Sequence, residues 1–309
     1  GLGSKMKFTF KSPLTNMFGD SAAGGTFGAN MRWAGYDNIV ITGKAARPVY
    51  IWIDDDSVEI RDASHLWGRG SEETQEHIFK EIGDPSAGIA CIGPAGENLV
   101  AYSCIVVSHE RAAGRTGGGC VMGSKNLKAL VARGSRGIPV YDPKAFLKSV
   151  DEMRKFINDP LRSGFKRAGT IGVARLYKEI GDLAYRNALL DAMPEDRLDM
   201  IMPDWIIKNL KQYDYSCSPG CSIGCCNIMA VKGDESPYAK QLTGTYCVAP
   251  ELYALGKFGV GCDVADFPAI TIINNMCNKY GLDGLEVGSI IPWLMELWER
   301  GVITEKETA

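Results

Sequence analysis

The sequence predicts an α+β protein, with a β-rich first half followed by an α-helical second half. Three observations carry this. Short runs of β-branched and aromatic residues bounded by turn residues crowd the first 137 positions. Most of the 36 glycines lie in the same stretch. Past residue 138 the apolar residues recur at helical spacing. A chain of 309 residues has room for about two domains, and the composition shift places them at 1–138 and 139–309.

Asn38–Gly43, Val49–Asp54 and Val58–Arg61 read as strands. The turn residues Asp54-Asp55-Asp56-Ser57 join the last two as a hairpin. Ser71, followed by Glu72 and Glu73, reads as the N-cap of a helix reaching Ile82. Ile89–Ile92, Val100–Val107 and Leu127–Val131 are further strand candidates. Ile138 to Pro143 reads as a linker. Helical patterns then cover 144–157, 170–181, 203–211, 264–280 and 284–300, and the pattern predicts no strand in this half.

Composition narrows the class of protein. An apolar share of 45% and a charged share of 23% are ordinary for a globular chain and exclude disorder over most of its length. The net charge of −3 lacks the basic excess of a nucleic-acid binder. No apolar run approaches the roughly 18 residues of a spanning helix, so no membrane partner is expected. The opening GLGSKMKFTF has no secretory apolar core. It has no initiator Met and begins as a polar, glycine-bearing turn, as expected of a piece of a longer chain. Ten Cys in a chain without a secretory signal point to a reducing cytoplasm, with the scattered thiols buried.

Four constellations have chemical potential. Cys217, Cys221, Cys225 and Cys226 fall within ten residues, interrupted by Pro219, Gly220 and Gly224. That composition disfavours a helix and favours a loop wrapped around a metal. The ligation suits a 4Fe–4S cluster, or zinc, and buried free thiols are the bland alternative. Arg111–Lys125 is rich in glycine and base, with Arg111, Ala112, Gly114 and Arg115 at its head. It is not a P-loop, because Ser124 precedes Lys125 where Lys must come first. It suits backbone contact with a phosphate-bearing group, or is only a turn with solvated bases. Ala22, Ala23, Gly24 and Gly25 form a second small-residue run. Asn278, Gly281, Leu282 and Asp283 lie between two helices, where Gly281 ends one and Asp283 can cap the next. With three His and no Ser-His-Asp pattern, hydrolytic catalysis has little support.

Together these motifs resemble the tungsten-containing aldehyde ferredoxin oxidoreductases. The matching stretches are Lys11–Thr15, Ala34–Asp37, Arg61–Gly68, Ile92–Leu99, Arg111–Arg115 and Val121–Ala129. The resemblance covers essentially the whole chain and is densest over 1–135. Members are about twice as long, so the chain looks like the family's first domain without its start, plus much of the second. By resemblance, the first domain is a β-rich base for a tungsten (or molybdenum) bis-pyranopterin cofactor, and the carbonyls of Ala22 and Ala112 would hold a Mg²⁺ between the pterin phosphates. Asn278–Asp283 matches the family's D-x-x-G-L-D pterin motif with Asn in first place, which makes Asp283 a pterin ligand. Cys217, Cys221 and Cys225 would ligate the cluster. The first gap is one residue longer than the family's, so either Cys217 is displaced or Cys226 joins the set. Lys5 stands where the family has an Arg.

The resemblance implies aldehyde oxidation to a carboxylate in an anaerobic setting, with electrons leaving through the cluster to ferredoxin. Glu251 and Tyr253 align with a P-E-Y-E whose second Glu lies near the metal, and here that position is Tyr253. Ile272 stands where some members place a Glu that binds a metal at a dimer interface, so that metal is not expected and a homodimer is left open. The altered Glu leaves room for a low-potential reductase of an aryl- or acyl-CoA substrate. A non-catalytic metal-binding fragment is the reading from a different class.

Overall fold

A computed structural model describes residues 5–159, 164–231, 236–243 and 246–308. The polar start read from residues 1–4 lies outside the described residues. The chain divides into two compact units. Unit 1 holds Gly1–Ile157, Ser216–Ser222 and Cys277–Asp283, and unit 2 holds Asn158–Tyr215, Ile223–Met276 and Gly284–Ala309.

Unit 1 opens with an antiparallel ribbon of β1 (Met6–Lys11) and β2 (Phe18–Ala23), in which Met6 faces Ala23. Helix α1 (Phe27–Trp33) comes next. The main sheet has six strands: β3 (Val49–Asp54), β4 (Ser57–Asp62), β5 (Gly88–Cys91), β6 (Ile105–Val107), β7 (Arg111–Ala113) and β8 (Leu127–Arg133). Their order is β4-β3-β8-β5-β6-β7, antiparallel except for the β3–β8 pair. The helices of this unit are α2 (Ser71–Ile82), α3 (Pro94–Glu97), α4 (Gly118–Ser124) and α5 (Pro143–Ile157).

The β3–β4 hairpin forms as expected. Asp55 takes the left-handed conformation the tight turn demands (φ 50°), which Asp tolerates. Side chains of β3 alternate between two cores. Tyr50 and Trp52 pack with Leu66, Ile78 of α2, Ile89 and Val131 on one face. Ile53 packs with Phe8, Phe27 and Met31 of α1, Ile105 and Leu130 on the other. β8 is buried on both faces, which is why it reads as a nearly continuous apolar run. Gly83 closes α2 in the left-handed region (φ 70°), its N–H donating to the Phe79 carbonyl at 3.0 Å.

α1 lies so close on β5 that Gly88 has no room for a side chain. A Cβ there would stand 2.3 Å from the Phe27 Cα and 2.6 Å from its N. Both are backbone atoms and cannot swing aside. Gly88→Ala is therefore expected to cost about 1–3 kcal/mol through overpacking. A thermal unfolding midpoint equal to the parent's would contradict this packing.

Unit 2 contains α6 (Gly164–Ala168), α7 (Ala174–Glu179), α8 (Glu195–Asp199), α9 (Pro203–Asn209), α10 (Ala239–Leu242), α11 (Leu252–Ala254), α12 (Phe267–Tyr280, its last turn counted in unit 1), α13 (Gly284–Glu299) and α14 (Glu305–Thr308). A π-helical stretch, Leu255–Gly261, continues from α11. β9 (Lys211–Tyr215), β10 (Cys226–Ala230) and β11 (Tyr246–Val248) form an antiparallel sheet in the order β11-β10-β9.

The α+β class stands, and several elements differ from their sequence readings. Asn38–Gly43 forms no strand and has no ladder partner among the described residues, with Ile39 and Ile41 leaning on the core while Val40 is exposed. Val100–Val107 supplies a strand only from Ile105, because Val100–Ser103 turns back on itself. Gly118–Ser124 is a helix despite its glycines. The N-cap of α2 is Gly70, and Ser71 is its first helical residue. The helical second half contains the three short strands, whose apolar residues were too few to show a period of two.

Candidate functional site

Three chain segments that are distant in sequence meet in unit 1. The first begins where β2 ends, at Ala23, and Gly25 turns the chain with φ 88°. The Gly25 N–H donates to the Cys217 carbonyl at 2.6 Å. The Thr26 N–H donates to Ser108 Oγ at 3.0 Å, and the two hydroxyls lie 3.1 Å apart. Ala22 is exposed, opposite Lys7 in the ribbon, while Ala23, Gly24 and Gly25 are buried.

The second segment is the β6–β7 hairpin with the bend at Gly114 and Arg115. Ser108 and His109 both take positive φ (50° and 66°), a conformation non-glycine residues avoid unless their surroundings impose it. The His109 N–H is held by Gln75 Oε1 at 3.0 Å. Ala112 pairs with Val106 in the ladder, and the Arg111 side chain is largely buried, its Nε 4.0 Å from Glu110 Oε1. A Cβ at Gly114 would stand in open space, so this backbone is approachable. The Arg115 N–H donates to Ser21 Oγ at 3.3 Å.

The third segment is 278–283. Gly281 adopts φ 74°, as a residue ending a helix does, and its carbonyl accepts the Cys104 N–H at 2.8 Å. The Asp283 N–H donates to the Tyr102 carbonyl at 3.1 Å, and Leu282 bridges Ser103. The Ser71 hydroxyl donates to the Asn278 carbonyl at 2.8 Å, which ties α2 to this loop. The buried Asp283 carboxylate meets Arg115 Nε at 3.1 Å. Arg115 is half exposed, so the pair adds charge order more than stability.

Burial raises the pKa of the scattered cysteines. Burial pushes the Cys91 and Cys277 thiols up to about 12, and the Asp283 carboxylate adds to the shift at Cys277. Cys104 is driven higher still by the same two causes. Cys247 and Cys262 rise to about 11 by burial. Burial thus disfavours the thiolate form at these positions. Cys217, Cys221 and Cys225 are only half-buried. Cys217 and Cys221 lie in one folded turn of unit 1, where Ser216 Oγ donates to the Cys221 carbonyl at 2.5 Å and the Cys221 N–H to the Ser218 carbonyl at 3.3 Å. Cys225 and Cys226 are counted in unit 2, and Cys226 is buried within β10 opposite Tyr215. Among the described residues no three His, Cys, Asp or Glu side chains are grouped to hold a metal ion. The fit to a cluster therefore rests on donor chemistry: partly exposed thiols on a Pro-Gly turn, an all-sulfur set that suits iron–sulfur ligation. The fit to a phosphate-bearing cofactor rests on Arg111, Arg115 and the open backbone at Gly114.

In unit 2, the Glu251 carboxylate accepts a short hydrogen bond from Thr170 Oγ1, whose oxygen in turn accepts the Leu252 N–H at 3.0 Å. The Tyr253 hydroxyl donates to the buried Asn274 Oδ1 at 2.6 Å. Its ring sits edge-on to Phe258 at 6.5 Å. Ile272 lies half-buried on α12. Lys5 is exposed and, with Pro219, lines an open, mostly apolar groove of about 970 Å³ beside β1.

The sequence reading brought out the three segments but missed the residues that join them. The Ser21, Ser71 and Ser108 hydroxyls each hold a segment in place, and nothing local in the sequence marks their distant partners.

Glycine-bearing loops and a cysteine-bearing turn are gathered in this β-rich unit. Residues 2–134 match the family "Aldehyde ferredoxin oxidoreductase, N-terminal domain" and residues 148–309 match "Aldehyde ferredoxin oxidoreductase, domains 2 & 3". The chain belongs to the aldehyde ferredoxin oxidoreductase family. It is 37% identical over 310 residues to a tungsten-containing aldehyde ferredoxin oxidoreductase of Pyrococcus furiosus, covering 99% of this chain and 49% of that protein. It is 31% identical to an aliphatic sulfonate oxidoreductase, WOR-like subunit, of the same organism, with 99% and 49% covered. Among solved structures it resembles the active-site complex BamBC of benzoyl coenzyme A reductase in complex with 1,5-dienoyl-CoA, with a TM-score of 0.77 and 28% identity over 98% of this chain and 46% of that one. The chain thus spans about half the length of the relatives it matches. No described helix is long and apolar enough to cross a membrane.

Proposed function

We propose that this chain forms part of an enzyme that oxidises aldehydes to carboxylic acids with a tungsten (or molybdenum) bis-pyranopterin, passing electrons through a 4Fe–4S cluster to ferredoxin. The observation that carries this is the meeting of 22–26, 111–115, 278–283 and Cys217 in unit 1, at the positions where the resemblance sets the pterins and the cluster. The metal and its dithiolenes supply the two-electron chemistry when bound, and the cluster handles electrons singly.

The chain's own residues bind and orient. The Ala22 and Ala112 carbonyls hold Mg²⁺, Ala23, Gly24 and Gly25 line one pterin, and Arg111 and Arg115 neutralise phosphate. Asp283 binds pterin, with Asn278, Gly281 and Leu282 shaping its loop. Lys5 keeps the positive charge of the family's Arg but not its bidentate fork. Cys217, Cys221 and Cys225 ligate the cluster, and Cys226 is left to packing. Near the substrate, Tyr253 presents a phenol whose proton is engaged by Asn274, and Glu251 is held by Thr170. The buried thiols of Cys91, Cys104, Cys120, Cys262 and Cys277 fit a reducing cytoplasm.

Asp283→Asn keeps the shape of the side chain and removes its charge. It is expected to lower tungsten or molybdenum content by about 10-fold or more while leaving the circular dichroism unchanged. Zinc as the only metal in the anaerobically purified parent would overturn the reading in favour of a non-catalytic metal-binding piece. A second reading, reduction of an aryl- or acyl-CoA thioester at low potential, is favoured by Tyr253 in place of Glu and by the benzoyl-CoA reductase neighbour. Assaying aldehydes against aryl-CoA thioesters with the same preparation separates the two.

A further inference from the structure

We infer that the Ser218 hydroxyl donates a hydrogen bond to the Cys217 thiolate of the cluster, held there by the bare backbone of Gly24, and that this raises the cluster's reduction potential. The inference rests on the reading of Cys217 as a cluster ligand.

Ser218 is 4% exposed. Its Oγ lies 3.9 Å from Cys217 Sγ, a separation that the large sulfur radius accommodates. With a free thiol, either group can donate. A ligating thiolate has no proton, so Ser218 becomes the donor and the bond becomes charge-assisted. A hydroxyl aimed at a ligand sulfur withdraws negative charge and favours the reduced cluster, which carries one more electron.

The geometry shows how this hydroxyl comes to lie beside the sulfur. The Gly25 N–H clasps the Cys217 carbonyl at 2.6 Å. A Cβ on Gly24 would lie 2.9 Å from that carbonyl oxygen, 3.1 Å from Ser218 Oγ and 3.3 Å from the Cys217 Cβ. All three are closer than comfortable contact. Glycine at 24 thus lets the Cys217–Ser218 peptide seat against the β2 turn with the hydroxyl beside the sulfur. The same glycine run lines the proposed pterin side, so one short segment both faces the pterin and positions the cluster's hydrogen bond.

The test is an EPR-monitored redox titration of the anaerobically purified, iron-loaded protein. Ser218→Ala is expected to keep its iron and shift the cluster midpoint to more negative potential. Ser218→Thr, which restores a hydroxyl, is expected to return it towards the parent value. Gly24→Ala keeps the hydroxyl but presses on it, and is expected to shift the midpoint the same way as Ser218→Ala. A Ser218→Ala protein with full iron and an unchanged midpoint overturns the inference. So does loss of iron from every Ser218 and Gly24 variant, which would make Ser218 a packing residue. If instead the parent holds no iron, or Cys217→Ser holds as much as the parent, the ligand assignment itself fails.

Discussion

Glu97→Ala is expected to destabilise unit 1 by about 3–5 kcal/mol, a larger loss than any surface substitution would bring. The reason is Lys128, whose side chain has no exposure at all, while that of Glu97 has 4%. The Lys128 ammonium has three protons and three acceptors. It donates to the Ile92 carbonyl at 2.8 Å, the Arg69 carbonyl at 2.9 Å and, in a short bond, Glu97 Oε1. The other Glu97 oxygen accepts the Gly68 N–H at 2.7 Å. Removing the carboxylate strands a buried ammonium with an unmet proton and releases the Gly68 backbone. The double variant Glu97→Gln, Lys128→Met removes both charges, and is expected to recover much of the loss, because a buried pair contributes less than one widowed partner costs. Denaturant unfolding of the three proteins measures this. A Glu97→Ala loss below about 1 kcal/mol would mean that Lys128 is not sealed from water.

The other large effect is expected at Cys221. Under the proposed function, Cys221→Ser replaces a soft thiolate donor with a hydroxyl that iron binds poorly, in a turn already folded by Ser216 and Ser218. The iron EPR signal and ferredoxin reduction are expected to vanish, while tungsten or molybdenum stays bound. Cys277→Ser is the matched control. Its buried thiol, pushed up to about 12 by burial and by Asp283, stands outside the cysteine run, and its loss is expected to leave iron content intact. A Cys221→Ser protein that still reduced ferredoxin at the parent rate would sink the cluster assignment.

The buried Lys128 network also explains part of what made the family resemblance visible. Arg61–Gly68, Ile92–Leu99 and Val121–Ala129 are three of its six matching stretches. In the structure they are drawn together by one ion pair: the Lys128 ammonium of the third binds Ile92 and Glu97 of the second and Arg69 adjoining the first, and Glu97 binds Gly68 of the first. These stretches serve the scaffold beneath the candidate site. In the sequence, Lys128 reads as an ordinary polar residue interrupting an apolar strand. Nothing local distinguishes a charged group whose three partners come from elsewhere in the chain.

Other readings had the same limit. The Gly-rich run at 111–125 separated into a strand, an approachable bend at Gly114 and the helix Gly118–Ser124. Glycine's weak helix preference gave no hint of that helix, which forms because it packs against neighbouring backbone: a Cβ on Gly123 would lie 1.9 Å from the Gly96 carbonyl oxygen. The three short strands of unit 2 escaped notice because strands of three to five residues show too few alternations to reveal a period of two.

The α+β class, the β3–β4 hairpin, the long helices, the clustered thiols and the family were determined by the sequence alone, because each rests on residues adjacent in the chain or on order along it. Only the tertiary structure decided which groups meet. It set Arg115 on Asp283, Gly25 on Cys217, Ser71 on Asn278 and Lys128 on Glu97. Each of these contacts spans between 31 and about 200 residues of chain. Local propensity and periodicity act over a few residues, whereas a buried charge or an unmet N–H finds its partner only when the packed core brings distant segments together.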